Sequence, residues 1–192
     1  NDRFTGAGKR DTVEGGHGND VIDGGGNNDV LRGGDGNDTV LGGSGNDTIQ
    51  VSGNEALGDV RISGGGGNDT IVQIGGGDLQ LDNVNSDTND DGIHDGSDGP
   101  FTDAGGSAFT PVGTVVGNIE RIDANGADLV GDNGRNVFDL TGVDLIDVDT
   151  VRTANGDDIV LGSTVDNASY DLGRHNDRFT GAGKRDTVEG GH

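Results

Sequence analysis

Aspartates recur at every ninth position near the start of the sequence, in a pattern suited to binding hard cations. Residues 6–50 divide without a gap into five nonapeptides: GAGKRDTVE, GGHGNDVID, GGGNNDVLR, GGDGNDTVL and GGSGNDTIQ. The sixth place is always aspartate: Asp11, Asp20, Asp29, Asp38 and Asp47, with Asp2 continuing the series backwards. Calcium takes about 6 to 8 oxygen ligands, and carboxylates are prominent among them. The sequence has no cysteine, which excludes disulfides and thiolate metal sites.

Each nonapeptide also contains the elements that would position its aspartate. The first six residues are rich in glycine, asparagine and aspartate, which form turns, and the last three surround one apolar residue, as in a short strand. The eighth place is occupied by Phe4, Val13, Ile22, Leu31, Val40 and Ile49. With an apolar fraction of 28%, six apolar residues in six such places would arise by chance about 5 times in 10,000. This order argues against the disordered polyanion that the composition alone would also fit.

Two nonapeptides predict one 18-residue coil of turn, strand, turn and strand. Short strands are unstable alone, but stacked coils give each strand a neighbour on both sides. The eighth-place side chains of the opposed strands would form a thin apolar core, and the aspartates would line the turns, one coil above another. The predicted fold class is therefore all-β, a parallel β-solenoid.

The nonapeptides resemble those of the repeats-in-toxin (RTX) family, whose motif GGxGxDxUx, with U apolar, forms a calcium-filled β-roll. GGHGNDVID, GGDGNDTVL and GGSGNDTIQ match every fixed position. The resemblance implies a right-handed parallel β-roll in which the sixth-place aspartates bind calcium together with carbonyls of the same and the adjacent turns. Lys9, Arg10 and Asn27 depart from the motif, and we expect weaker binding in their two turns.

Further copies follow less evenly. GGGGNDTIV at 64–72 is an isolated copy that contains Asp69. From Asn118 the apolar residues Ile122, Val130, Phe138 and Ile146 are spaced by eight, which resembles the calcium-poor coils that often precede RTX arrays. The nonapeptide returns in TANGDDIVL, GSTVDNASY, LGRHNDRFT and GAGKRDTVE over 153–189, with Asp171 as one inserted residue. The candidate ligands there are Asp158, Asp177 and Asp186.

Residues 83–117 contain both prolines and no nonapeptide, so we expect them to leave the roll as a surface insertion. Within them, DTNDDGIHDGSD has the spacing of an EF-hand-like calcium loop. Its candidate ligands are Asp87, Asn89, Asp91, the carbonyl of Ile93, Asp95 and Asp98. We expect one calcium ion there, with a solvated acidic loop as the alternative. Three regions result: a β-roll at 1–82, the insertion at 83–117, and a solenoid at 118–192 that continues into β-roll.

Residues 176–192 are identical to residues 1–17, at an offset of 175. We therefore expect the sequence to come from a longer tandem array in which the roll runs without interruption from one repeat to the next. An engineered duplication, or a filament described with overlapping ends, is the competing explanation.

The composition restricts the classes of partner. Acidic residues outnumber basic ones by 35 to 12, giving a formal net charge of −23, which argues against nucleic acid and makes a compact state repel itself. About eight calcium ions would reduce that charge to about −7. No apolar run approaches the roughly 20 residues of a transmembrane helix, so no transmembrane segment is predicted.

The sequence offers no catalytic motif. It contains neither GxSxG nor HExxH. The carboxylates are too numerous for any pair to stand out as an acid and a base. Five phenylalanines, one tyrosine and no tryptophan leave little aromatic lining for a pocket. We therefore predict that these residues are not an enzyme.

These patterns favour a calcium-binding structural or adhesive module, extracellular or on the cell surface, that folds on calcium binding after secretion. It would belong to a tandem array or fibre and associate with itself end to end or laterally. The resemblance implies type I secretion from a Gram-negative bacterium. The alternative is the calcium-folding, secretion-associated region of an exported enzyme or toxin, which requires a catalytic domain upstream. Ice or carbohydrate binding is less favoured, because the outward seventh places mix threonine with valine.

Overall fold

A computed structural model describes residues 1–52, 61–81, 83–84, 101–102, 108–109, 115–164, 168–182 and 185–191. These residues form strands and turns and contain no helix, so none of them lies in a helix that could cross a membrane. The strands, in chain order, are β1 (Arg3–Thr5), β2 (Thr12–His17), β3 (Val21–Asp23), β4 (Val30–Asp35), β5 (Thr39–Ser44), β6 (Thr48–Ser52), β7 (Arg61–Gly66), β8 (Thr70–Ile74), β9 (Leu79–Gln80), β10 (Asn83–Val84), β11 (Phe101–Thr102), β12 (Ala108–Phe109), β13 (Val115–Gly117), β14 (Arg121–Val130), β15 (Val137–Asp139), β16 (Asp144–Arg152), β17 (Ile159–Leu161), β18 (Ser169–Asp171), β19 (Arg178–Thr180) and β20 (Thr187–Glu189).

Two parallel sheets form the walls of a β-solenoid. One sheet has the order β1-β3-β5-β7-β13-β10-β15-β17-β19, and the other has β2-β4-β6-β8-β14-β16-β18-β20, with β9 paired to β14. Odd and even strands alternate between the sheets over residues 3–74, so each pair of short strands makes one coil. The predicted all-β parallel roll is confirmed.

The strand register follows the nonapeptide. Val13 pairs with Leu31 and Ile22 pairs with Val40, an offset of 18 residues. Ile49 pairs with Ile71 at an offset of 22, so this coil has four residues more than its predecessors, and residues 53–60 fall within it. The eighth-place pattern therefore continues across the stretch of sequence that lacks turn chemistry.

Over β1–β5 the core is a thin layer of one apolar side chain per strand, and β6 contributes two, Ile49 and Val51. Ile22, Leu31, Val40 and Ile49 are at most 1% exposed, whereas Val13 in the first coil is half-buried. Burying one such side chain contributes roughly 1.5–3 kcal/mol. The predicted inward orientation of the eighth place is confirmed.

The later coils are less regular than the spacing of eight predicts. Ile122 and Phe138 are fully buried, but Val130 and Ile146 are only half-buried, so the spacing of eight does not follow the core positions at these two residues. The fully buried Leu129 lies in the core beside Val130. At Val130 the cause is irregular pairing, because the register of β14 against β16 shifts twice between Asp123 and Leu129. Ile146 pairs with Asp123 before these shifts, and it is the preceding residue, Leu145, that pairs with the core residue Ile122.

The ends of the predicted insertion belong to the solenoid. β10 and β13 are paired strands of the first sheet, and β13 lies between β7 and β10. Among the described residues of the predicted insertion, only β11 and β12 lie outside the two walls, and they form a separate antiparallel pair. The EF-hand-like loop at 87–98 lies outside the described residues.

The extra residue near the C-terminal nonapeptides is not Asp171. Tyr170 is 2% exposed and fills the core position, whereas Ser169 is exposed. The N–H of Thr187 donates to the carbonyl of Ala168 at 3.0 Å, as the N–H of Thr39 donates to that of Asp20 at 2.8 Å. Ala168 therefore occupies the sixth place of its repeat, and the extra residue lies between Asp158 and Ala168.

Candidate metal sites in the turns

The sixth-place aspartates stack in rows, which we call the aspartate ladder. In each step the backbone N–H of one sixth-place residue donates to Oδ1 of the aspartate in the next coil. The donor and acceptor residues are Asp2 and Asp20 (2.5 Å), Asp11 and Asp29 (2.7 Å), Asp20 and Asp38 (2.8 Å), Asp29 and Asp47 (2.8 Å), Asp47 and Asp69 (2.8 Å), Asn136 and Asp158 (2.8 Å), and Asp158 and Asp177 (3.1 Å). One oxygen of each accepting carboxylate thus holds adjacent coils in register.

The second carboxylate oxygen is different. It is buried and has no hydrogen-bond partner in Asp20, Asp29, Asp47, Asp69 and Asp158. These five residues are at most 1% exposed. An unsatisfied buried polar group costs about 1–3 kcal/mol, and a charged group costs more. A cation bound at these oxygens would remove that cost, so the ladder fits a hard divalent metal such as calcium.

The first-place glycines show how backbone oxygen approaches the same region. A Cβ on Gly24 would lie 2.6 Å from Oδ2 of Asp29 and 2.7 Å from the carbonyl oxygen of Gly42 in the next coil. A Cβ on Gly15 would lie 2.6 Å from Oδ2 of Asp20 and from the carbonyl oxygen of Gly33. The invariant glycine is needed because carboxylate and carbonyl oxygens crowd around it.

Carbonyl oxygens are required for any cation site here. Among the residues that the structure describes, no three carboxylate or histidine side chains form a group that could hold a metal ion. Each site would therefore combine ladder carboxylate oxygen with turn carbonyls, as the RTX resemblance implies.

Burial shifts the carboxyls of Asp47, Asp69 and Asp158 toward their protonated form. Desolvation is the main cause that raises the pKa of Asp69 to about 6, with the charges of Asp47 and Glu120 adding to it. Desolvation also raises the pKa of Asp158 to about 7, with Asp177 and Asp132 adding to it. The pKa of Asp47 is raised by the same burial. Without a cation, the ionised carboxylates destabilise the fold.

A second ladder was not predicted from the sequence. Asparagines at the fifth place are exposed, and Oδ1 of each accepts the backbone N–H of the asparagine in the next coil. The distances are 3.2 Å from Asn37 to Asn19, 3.0 Å from Asn46 to Asn28 and 3.1 Å from Asn68 to Asn46. In the aspartate ladder the side chain accepts from the preceding coil, and here it accepts from the following one. The regular recurrence of asparagine at the fifth place was the available signal.

Other predicted ligands lie in the ladder but are less enclosed. Asp11, Asp177 and Asp186 are half-buried. Oδ1 of Asp186 is nevertheless buried without a hydrogen-bond partner. The ladder position before Asp186 is occupied by Ala168, which supplies no carboxylate to its own turn.

Two ladder members were missed because they are not aspartate. Oε2 of Glu120 accepts the N–H of Asp69 at 2.7 Å, so a glutamate from the coil after the insertion continues the row. Asn136 is fully buried in the row that continues to Asp158. Glu120 lies in no copy of the nonapeptide, whereas Asn136 occupies the sixth place of GDNGRNVFD at 131–139, where asparagine replaces the aspartate.

The turn that contains Asn27 deviates from its neighbours. Asn27 adopts a left-handed conformation with φ of 71°, which asparagine tolerates better than most residues. Its Nδ2 donates to the carbonyl of Gly8 at 2.7 Å. That carbonyl therefore has a partner already, which is consistent with the expectation of a weaker site in this pair of turns.

Comparison with known proteins supports the assignment of the repeats. The family model of the RTX calcium-binding nonapeptide repeat matches residues 1–31, 24–49 and 57–72. No curated protein and no solved structure matches the chain. Residues 1–49 and 57–72 of this chain are therefore similar to the RTX calcium-binding nonapeptide repeat.

Proposed function

We propose that the chain is an extracellular calcium-binding structural or adhesive module that folds when calcium binds after secretion. The observation that carries the proposal is the ladder of buried carboxylates, each with one oxygen in a coil-to-coil hydrogen bond and, in five of them, a second oxygen without a partner. A divalent cation bound at these unpartnered oxygens would stabilise the fold itself.

Different groups of residues in the repeat have different roles in folding. The Oδ1 atoms align neighbouring coils, and the eighth-place side chains fill the core. The ladder carboxylates, including those of Asp20, Asp29 and Asp47, would hold the cations together with turn carbonyls. When bound, calcium supplies positive charge that offsets the formal net charge of −23.

Calcium concentration would then control where the chain folds. Calcium sites of extracellular modules typically bind at about 10⁻⁴ to 10⁻³ M, well above the concentrations that cytosolic sensors detect. A ligand that binds only the folded state stabilises that state by mass action. At low calcium the ladder carboxylates would repel one another, and the chain would stay unfolded and ready for export.

The duplicated sequence supports a place in an array. Residues 1–17 and 176–192 are identical, and β19 and β20 repeat β1 and the first three residues of β2. Modules that begin and end with one coil sequence can be joined in a continuous solenoid. A structural role requires no catalytic step from these residues, and we propose none.

Two measurements test the proposal. Protease resistance of the purified chain should be low at about 0.1 µM free calcium and high at about 5 mM, because the sites are in the range of extracellular modules. Antibodies against the chain should label intact producing cells or their medium. Equal protease resistance at both calcium levels would contradict calcium-dependent folding, and antigen found only in the cytosol would contradict export.

A further inference from the structure

The step that joins Asp69 to Glu120 differs from the other steps of the aspartate ladder. Oε2 of Glu120 accepts the N–H of Asp69 at 2.7 Å across 51 residues of sequence, whereas Asp29 and Asp47 are joined across 18. Loop-closure entropy makes a contact between residues 51 apart about fivefold less favourable than one between residues 18 apart. The step lies where β14 pairs with β8. The solenoid that follows the insertion therefore meets the roll at a contact that is costly to close.

The turn before β14 is shorter than the turns of the nonapeptides. In a nonapeptide the first-place glycine precedes the aspartate by five residues. The carbonyl of Asn118 lies against Gly64 here, as the carbonyl of a first-place glycine, Gly42, lies against Gly24 in an earlier coil. Asn118 has a φ of 51°, a left-handed conformation that asparagine tolerates. Glu120 follows it by only two residues, and the extra methylene of glutamate extends its carboxylate to the row.

Three oxygen-bearing groups come together at this step. Asp69 is fully buried, and its Oδ2 has no hydrogen-bond partner. A Cβ on Gly64 would lie 2.5 Å from that oxygen and would overlap the carbonyl oxygen of Asn118. Two oxygens within 2.5 Å of one point are at most about 5 Å apart, and calcium binds oxygen at about 2.3–2.6 Å, so one ion can contact both. The carboxylate of Glu120 lies beside them, on the N–H of Asp69.

The charges around Asp69 favour a divalent cation. Burial raises the pKa of Asp69, and the negative charges of Asp47 and Glu120 raise it further. Arg121, the residue after Glu120, pairs with Asp144, with 3.4 Å between its Nε and Oδ2 of that aspartate. An ion of charge +2 would neutralise the carboxylates of Asp69 and Glu120 together.

We propose that a calcium ion bound by Oδ2 of Asp69, the carbonyl of Asn118 and the carboxylate of Glu120 attaches the solenoid after the insertion to the roll before it. The attachment rests on the proposed function, since it takes the ion to be calcium and the roll to fold on binding it. A metal that closes a long loop offsets more chain entropy than one that closes a short loop. As calcium falls, β14 should therefore separate from β8 before the coils of residues 11–52 open.

Amide hydrogen exchange during a calcium titration tests this order in the unaltered chain. At the attachment, the N–H of Arg121 donates to the carbonyl of Asp69 at 3.1 Å, and within the roll the N–H of Thr39 donates to that of Asp20 at 2.8 Å. Protection of Arg121 should be half lost at a calcium concentration about fivefold higher than protection of Thr39. Loss of both at the same concentration would overturn the attachment.

Glu120→Gln and Glu14→Gln provide a matched pair of variants. Each removes one carboxylate charge. Glutamine at position 120 keeps an oxygen that can accept the N–H of Asp69, and the Glu14 side chain is 66% exposed in a surface ion pair. Glu120→Gln should raise the calcium midpoint for protection of Arg121 by about tenfold or more and leave that of Thr39 unchanged. Glu14→Gln should change neither midpoint.

A double variant tests whether one ion is shared. If Asp69 and Glu120 bind the same ion, then Asp69→Asn combined with Glu120→Gln should raise the Arg121 midpoint no more than the larger single change does. Additive shifts would overturn the shared site. In Glu120→Gln alone, an unchanged Arg121 midpoint, or equal rises at Arg121 and Thr39, would overturn the attachment. Unaltered chains whose amides stay protected in excess chelator would instead contradict the proposed function.

Discussion

Replacing Asp47 by asparagine separates the two roles of a ladder carboxylate. Its Oδ1 accepts the N–H of Asp29 at 2.8 Å, and its Oδ2 is buried without a partner. Asparagine can keep the accepted hydrogen bond, but it places an amide where the free carboxylate oxygen was. Alanine removes both oxygens and leaves the N–H of Asp29, a residue that is 1% exposed, without its acceptor.

The expected losses of stability differ between the two variants. If the site binds calcium with a dissociation constant of about 10⁻⁴ M, then about 10 mM calcium stabilises the folded state by about 2.7 kcal/mol, which Asp47→Asn should lose. Asp47→Ala should lose about 1–3 kcal/mol more, for the unsatisfied N–H. With a urea slope of about 2 kcal/mol per molar, the unfolding midpoint should fall by about 1.4 M for asparagine and by about 2–3 M for alanine.

Urea unfolding followed by circular dichroism in about 10 mM calcium measures these shifts. Asp35→Asn is the control, because it removes the same charge from a neighbouring turn. The Asp35 side chain is 50% exposed and pairs with His17 at 2.8 Å, and a surface pair of this kind contributes about 0–1 kcal/mol. If Asp47→Asn shifts the midpoint no more than Asp35→Asn does, the assignment of Asp47 as a metal ligand is refuted.

Three further predictions follow from the geometry of the turns and the insertion. Burial raises the pKa of Asp69 to about 6 and of Asp158 to about 7, so the folded state without metal binds more protons than the unfolded state. The stability of the metal-free fold should therefore be highest below about pH 4 and decline up to about pH 7. Circular dichroism in chelator that shows no such decline would contradict the burial of these groups. Gly24→Ala should lower the thermal unfolding midpoint in calcium, since its Cβ would lie 2.6 Å from Oδ2 of Asp29. Gly26→Ala is the control and should have little effect, because its Cβ would have no neighbour closer than 3.6 Å. Equal shifts of the midpoint would show that the first-place glycine is not specially constrained. Replacing residues 85–114 by a short glycine-serine linker should keep the β-spectrum in calcium and lower the calcium stoichiometry by one, and an unchanged stoichiometry would exclude calcium binding by the loop at 87–98.

The regular part of the fold could be predicted because one sequence period determines several levels of structure. Glycine and asparagine fix the turns, and the single apolar residue at the eighth place fixes which face of each strand points inward. Leu31 and Ile49, 18 residues apart, are thus buried as expected. The aspartates lie in the turns for the same reason.

The irregular coils could not be predicted in this way. Val130 and Ile146 continue the spacing of eight from Ile122 but are only half-buried, and β14 changes register twice against β16. Such bulges depend on contacts between coils and leave no periodic signal. The extra residue was predicted at Asp171 because counting nine residues from Gly162 puts Ser169 at the eighth place. In the structure the Tyr170 ring is buried at that place instead, so the extra residue lies before Ala168.

The order of strands around the insertion was also beyond the sequence. β13 lies between β7 and β10, so the chain returns to pair with a strand that precedes β10. The nonapeptide determines only the contacts between consecutive coils, so it does not predict the strand order after a long insertion. Glu120 continues the ladder for a similar reason, since its place next to Asp69 arises only once β14 pairs with β8.

The need for divalent cations is tested most directly by far-ultraviolet circular dichroism of the chain, recorded in excess chelator and again after calcium is restored. We expect the spectrum of an unfolded chain in chelator, because the buried carboxylates would then be charged without a counter-ion, and a β-spectrum after calcium is returned. A β-spectrum that persists unchanged in chelator at neutral pH would contradict the dependence of this fold on calcium.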